Sequence, residues 1–194
     1  MIRLLDIIFS FLGLLILSPF LIIVYIAIII ESRGGGFYKQ IRVGKDGKRF
    51  MLYKFRSMRV DSDSKSQITI GARDPRITKT GLFVRRFKID ELPQLLNVLK
   101  GDMSLVGPRP EVPLYVDTYS EEQRKVLSVL PGVTDYASIR YVDENEILGK
   151  AENPHQTYID EILPNKLKLN MEYIENRSVK EYFKVIFLTL VKIF

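Results

Sequence analysis

The sequence contains no cysteine and a single histidine, His155, among its 194 residues. The first absence excludes disulfide frameworks and thiolate metal sites. The second excludes multi-histidine zinc sites and leaves a serine–histidine–aspartate triad without support. His155 follows Asn153-Pro154, a helix start where an exposed polar side chain is the ordinary occupant. Chemistry must therefore run on carboxylates, hydroxyls, lysines or arginines. Acidic residues are in deficit too: 29 lysines and arginines face 23 aspartates and glutamates, giving a formal net charge of +6 and a pI near 9.4. That excess favours phosphates, anionic lipid or nucleic acid as partners, and equally suits a solubilising surface. No groove-reading nucleic-acid motif accompanies it, and none of these polymers is expected as a partner. The length suits one globular domain with little room for a second.

Charge is missing altogether from Ile7 to Ile30, an almost wholly apolar run. A membrane helix needs about 20 such residues. The run is too long for a signal-peptide core and no small-residue cleavage site follows it; a buried helix of a soluble protein is the other rival. Ser18-Pro19 falls mid-run. Pro19 has no N–H to give the carbonyl of Leu15, and the Ser18 hydroxyl is placed to satisfy a freed carbonyl. Arg3 precedes the run, while Arg33, Lys39 and Arg42 follow it, a pattern that fits poorly with a single crossing under the positive-inside rule. The expectation is a re-entrant helix, broken at Ser18-Pro19, that enters and leaves on one face of the membrane.

After a glycine-rich hinge, Phe37–Val43 and Phe50–Arg56 read as strands joined by Gly44-Lys45-Asp46-Gly47, with Asp-Gly as the turn. Alternation places Phe50, Leu52, Lys54 and Arg56 on one face. Val60 to Asp74 is polar and reads as a surface loop. Gly81 to Lys100 carries helical periodicity, with Phe83, Phe87, Leu92, Leu95, Leu96 and Leu99 expected inside. Ser120 with Gln123, and Ser178 with Glu181, have capping-box spacing. Asn153-Pro154 opens a helix that Pro164 interrupts. The last helix sets Val179, Tyr182, Phe183, Ile186, Phe187 and Leu190 on one face, which suits either the core or the headgroup layer. The fold expected is α+β, mainly helical, with a small β-hairpin.

Asp90-Glu91 is the pair with chemical promise. Two readings of it stand. Asp90 caps a helix whose first turn holds Pro93. Alternatively, a helix start with unpaired N–H groups and the nearby Arg85, Arg86 and Lys88 holds a phosphate. Arginines and magnesium would then screen the repulsion between carboxylate and phosphate, so that one acid attacks phosphorus while the other holds the metal. Downstream, Gly107-Pro108-Arg109-Pro110 is either a rigid turn or a rigid mount aiming Arg109 at a phosphate. Lys54 and Arg56 are further candidate phosphate contacts.

Several stretches, taken together, resemble the bacterial sugar transferase family, the small monotopic polyprenyl-phosphate phosphoglycosyl transferases. They are the Ser18-Pro19 break, Tyr53 to Met58, Ile89 to Leu95, Asn97 to Pro110, Pro131 to Thr134 and the region from Tyr173 to Ser178. The resemblance implies a re-entrant helix over 1–33 and a cytoplasmic catalytic domain with membrane-surface helices over 34–194. It implies that Asp90 attacks the β-phosphate of a UDP-sugar and releases UMP. The phosphosugar then passes to a polyprenyl phosphate, undecaprenyl phosphate by expectation, at the inner membrane's cytoplasmic face, which initiates glycoconjugate assembly. Glu91, with Asp90, matches the acids that go with magnesium. Arg85 and Arg109 match active-site arginines, and Pro108-Arg109-Pro110 goes with the nucleotide end. Phospholipid is an implied partner, and a homodimer is left open. Departures occur at Asp135-Tyr136, where relatives read Gly-Trp, and at Asn170, where an aspartate is frequent. Large extensions of bigger relatives are absent, so a minimal catalytic unit is expected. The rival function is a membrane-anchored basic adaptor without catalysis.

Overall fold

A computed structural model describes residues 1–60 and 74–193, and its α+β, mainly helical architecture matches the expectation. α1 (Ile2–Glu31) is one helix of 30 residues that continues through Pro19. Ser18 Oγ donates to the Leu15 carbonyl at 2.8 Å, which replaces the bond Pro19 cannot make. Both ends of α1 are tied to the rest of the chain. Near its start, Arg3 donates to the Val98 carbonyl at 2.7 Å. There too, Asp6 Oδ1 accepts from Ser104 Oγ (3.0 Å), the Leu105 amide (2.9 Å) and the Tyr182 hydroxyl (2.9 Å). Near its end, Val24 and Ile28 pack with Phe55, Val84 and Ile89, and Glu31 accepts from the Lys79 and Thr80 amides at 2.7 Å each. By length and composition α1 could cross a membrane, and only 11% of its most apolar window is buried.

β1 (Phe37–Val43) and β2 (Arg49–Phe55) form the expected antiparallel hairpin, with Asp46 (φ 56°) and Gly47 (φ 73°) supplying the left-handed turn. β2 ends at Phe55, so alternation does not carry Arg56 to the face of Lys54. Arg56 instead donates to the carbonyls of Ser32 (2.7 Å) and Arg33 (2.8 Å), securing the exit of α1.

The single helix expected over Gly81 to Lys100 is two. α2 (Lys79–Arg86) stops before Lys88, which is left-handed at φ 56°; a one-turn 3-10 segment, Ile89–Glu91, follows, and α3 (Gln94–Lys100) starts after Pro93. The break shifts the helical phase. Leu95 stays inside, but Phe83, Phe87 and Leu96 are exposed, and Val84, Gln94, Asn97 and Val98 take the buried places. The loop expected over Val60 to Asp74 lies, apart from its two ends, outside the described residues.

β3 (Ser104–Val106) and β4 (Gly132–Thr134) pair in parallel, and their backbones cross so closely that a Cβ on Gly132 would sit 2.1 Å from the Gly107 nitrogen. Around them lie α4 (Pro113–Val116), α5 (Tyr136–Arg140), α6 (Glu144–Lys150) and α7 (Pro154–Thr157), with a π-helical turn, Tyr158–Ile162, leading into α8 (Leu163–Glu175). Both bonds of the Ser120–Gln123 box form, at 2.9 and 3.2 Å. Pro164 sits in the first turn of α8, where it is tolerated, and the π turn carries the chain past it. On α9 (Val179–Ile193) the buried residues are Tyr182 and Val185, whereas Phe183, Phe187 and Leu190 are exposed. One helix thus serves both the core and an uncovered apolar face.

Candidate active site

Four elements converge on one cavity of about 390 Å³, within the usual size of a small-ligand site. β1 contributes Arg42, β2 contributes Lys54, the 3-10 turn contributes Asp90 and Glu91, and the loop after β3 contributes Arg109. Arg85 and Lys88 also line it.

Glu91 is clamped. Its Oε1 accepts from Arg109 Nη2 at 2.6 Å and from Lys54 Nζ at 2.7 Å, while Oε2 has only a 3.4 Å contact to Arg109 Nη1. Burial alone would raise the Glu91 carboxyl, but Arg109 and Lys54 hold it well below the ordinary range. Glu91 in turn keeps Arg109 firmly charged. Lys54 is pulled below its ordinary value by burial, which outweighs the help of Glu91.

Asp90 is treated differently by its surroundings. It is 8% exposed, and its Oδ1 has no hydrogen-bond partner. It caps nothing: the N-cap position of α3 is Pro93, with no side-chain cap. Burial, then the neighbouring Glu91, raise its carboxyl above the ordinary range, against the pull of Lys54, Arg85 and Lys88. The site therefore holds one carboxylate tied down by cations and one that is buried and unpartnered.

Arg109 is placed by its backbone. Its amide donates to Asp135 Oδ2 at 3.0 Å, and Asp135 Oδ1 caps α5 through the Ser138 amide at 2.6 Å. The flanking prolines work through their carbonyls. Pro108 accepts from the Gly132 amide (2.9 Å) and Pro110 from Arg42 (2.9 Å), and both line a smaller neighbouring cavity rather than the main one. Arg85 reaches Ser57 Oγ at 3.4 Å. Of the expected site residues, Asp90, Glu91, Lys54, Arg85 and Arg109 come together. Arg56 is elsewhere, and Ser18-Pro19 belongs to α1.

Sequence reasoning missed a second charged cluster in the same cavity. Glu111 Oε1 accepts from the Tyr158 hydroxyl at 2.6 Å and contacts Lys166 Nζ at 3.5 Å; Lys166 also donates to Glu144 Oε2 at 3.0 Å. Arg42 approaches Glu111 Oε2 at 3.5 Å. The one signal was Lys166 between Leu163 and Leu167 on an apolar stripe; nothing local pointed to its partner at position 111.

No group of three or more acidic or histidine side chains gathers among the described residues. Magnesium, however, is commonly held by one or two carboxylates plus substrate phosphates and water. Asp90, with its unpartnered oxygen, and Glu91, whose Oε2 is only weakly engaged, suit that role.

A clamped carboxylate and one with an unpartnered oxygen thus share a cavity lined by cations, an arrangement suited to an anionic ligand. The family model described as "Bacterial sugar transferase" matches residues 1–194. A Bacillus subtilis (strain 168) protein, provisionally described as an undecaprenyl-phosphate N-acetylgalactosaminyl 1-phosphate transferase, is 46% identical over 68% of this chain and 70% of its own. The UDP-glucose:undecaprenyl-phosphate glucose-1-phosphate transferase of Escherichia coli (strain K12) is 36% identical over 96% of this chain, which spans 39% of that protein's length. An exopolysaccharide production protein of Rhizobium leguminosarum bv. phaseoli is 36% identical over 97% of this chain and 92% of its own. The chain belongs to the bacterial sugar transferase family, and it is a transferase.

Proposed function

We propose that this chain moves a sugar 1-phosphate from a UDP-sugar to a polyprenyl phosphate, undecaprenyl phosphate by analogy with the named relatives, and releases UMP. The observation that carries the reading is Asp90: a buried carboxylate with an unpartnered oxygen, in a cavity whose cations include Lys54, Arg85, Lys88 and Arg109. An Asp90 oxygen attacks the β-phosphorus, the bond from that phosphorus to the bridging oxygen breaks, and UMP leaves with the electron pair. The polyprenyl phosphate oxygen then attacks the same phosphorus, breaks its bond to Asp90, and restores the carboxylate. One phosphoanhydride replaces another, so no outside energy source is required.

The surroundings support these roles. A carboxylate whose basicity is raised by burial is a better nucleophile than one in water, and the surrounding lysines and arginines offset its repulsion from phosphate. Glu91 holds Lys54 and Arg109 in position. Magnesium, when bound at Asp90 and Glu91, would supply further charge neutralisation to the phosphates.

Such a reaction needs both a soluble nucleotide and a lipid, and the cytoplasmic face of the bacterial inner membrane is the location this reading assigns to the chain. There α1 dips in and returns, and the domain following residue 33 lies on the cytoplasmic side with helices at the membrane surface. The attachment of both ends of α1 to one folded unit supports this placement. The product would start assembly of a polysaccharide or another glycoconjugate.

The deciding experiment incubates purified protein with a UDP-sugar and magnesium, quenches before lipid is added, and weighs the protein by mass spectrometry. A sugar-phosphate adduct on Asp90, with UMP in the supernatant, is expected. Release of UDP, or an unmodified Asp90 during active turnover, would overturn the scheme.

A further inference from the structure

The cavity has a second end that the transfer chemistry leaves unused. Its walls there come from α4, α5, α6 and the π-helical turn, through Tyr115, Ser138, Glu144, Asn145 and Tyr158. The charged groups there, Glu111, Glu144, Lys166 and Arg42, are paired with one another.

Two hydroxyls at this end are unsatisfied. Tyr115 is only 4% exposed, yet its hydroxyl has no hydrogen-bond partner, and the same holds for the buried Ser138 Oγ. Leaving a buried polar group unpaired is costly, so such groups beside a ligand cavity point to a missing partner. Burial, with Glu111 and Glu144 adding to it, pushes the Tyr115 phenol up to about 12, so it remains a donor at neutral pH. Glu144 is fixed by Lys166 at 3.0 Å, and Lys166 is held by the Tyr158 hydroxyl at 3.2 Å. Glu144, Lys166 and Tyr158 are thus held in one hydrogen-bonded chain, with Asn145 exposed at its side. Lys166 and Arg42 already match the charges of Glu111 and Glu144, so the groups left open here are neutral hydroxyls. A sugar ring fits well, because each of its hydroxyls both donates and accepts.

We propose that Tyr115, Ser138, Glu144 and Asn145 form the subsite that binds the hydroxyls of the transferred sugar and thereby selects which sugar 1-phosphate is moved. The inference rests on the transfer reading above and deepens it.

The test measures UMP release by the whole chain, with polyprenyl phosphate, across a panel of UDP-hexoses and UDP-N-acetylhexosamines. Wild type is compared with Tyr115→Phe, Ser138→Ala and Glu144→Gln. Tyr115→Phe removes only an unpartnered hydroxyl, so it should fold at least as well as wild type, which melting curves would check. For the preferred donor, kcat/KM should fall about tenfold per lost hydrogen bond, the rate equivalent of about 1.4 kcal/mol. Preference between donors differing at one hydroxyl should shrink, while UMP inhibition and the KM for polyprenyl phosphate stay within about twofold. UMP release with an unmoved donor preference in all three variants would overturn the subsite alone. So would a matching loss of UMP affinity, which would make this the nucleoside end. No UMP from wild type with any donor would overturn the transfer reading and the subsite with it.

Discussion

Asp90 and Glu91 are neighbours in sequence and opposites in environment, and the contrast yields two tests. The raised Asp90 carboxyl means that ionising it costs stability: its contribution is most favourable below the ordinary value of 3.8 and declines as pH rises through the raised folded value. Asp90→Asn removes that penalty. At neutral pH it should melt above wild type while turnover falls on the order of 10⁴-fold or more, as for loss of a nucleophile; a lower melting temperature would contradict the burial argument. Glu91 has the reverse sign. Its lowered carboxyl adds stability above the ordinary 4.5, lost as pH falls through the folded value. Glu91→Gln leaves Lys54 and Arg109 beside each other without their counter-charge, and should cost about 3 kcal/mol in denaturant unfolding, as breaking a buried ion pair does. A loss under about 0.5 kcal/mol would mean the pair behaves as a surface contact.

Among the elements, α1 depends on Asp6, whose Oδ1 takes three donors from β3 and α9. Asp6→Ala strands the Ser104 hydroxyl, the Leu105 amide and the Tyr182 hydroxyl, a loss of about 3 kcal/mol. Asp6→Asn keeps an acceptor oxygen and should lose much less. Hydrogen exchange at the Leu105 amide reads the difference directly: it should quicken in Asp6→Ala and stay slow in Asp6→Asn. Equal exchange in the two would show that Asp6 does not hold the junction. Elements set by neighbouring residues were legible in the sequence. The Ser18 bond to Leu15, the Asp46-Gly47 turn and the Ser120–Gln123 box all form as their spacing demands. The division of α2 from α3 was not legible, because apolar residues at helical spacing continue across Lys88 and Pro93 although the backbone does not. Within the site, Asp90, Glu91 and Arg109 stood out through local chemistry. Glu111 and Lys166 did not, since 55 positions separate them and only the fold brings them together.

For the molecule as a whole, the question is how a helix of 30 residues, about 45 Å long if straight, meets a hydrocarbon layer of about 30 Å. A simple crossing would leave its two ends in different water phases. Yet Arg3 is bonded to the Val98 carbonyl on α3, and Glu31 takes the first amides of α2. α2 and α3 are joined by seven residues, 87–93, that include the buried Asp90, so the two anchor points cannot face opposite compartments without tearing the active site apart. The Ser18 hydroxyl lets the chain accommodate Pro19 without exposing the Leu15 carbonyl to lipid. Single cysteines, introduced into this cysteine-free chain at Ile2 and at Gly35 and probed with a membrane-impermeant thiol reagent, should therefore react from the same side of sealed vesicles. Labelling from opposite sides would require α1 to cross. The contacts of Arg3 or those of Glu31 would then have to be absent in the membrane-bound chain.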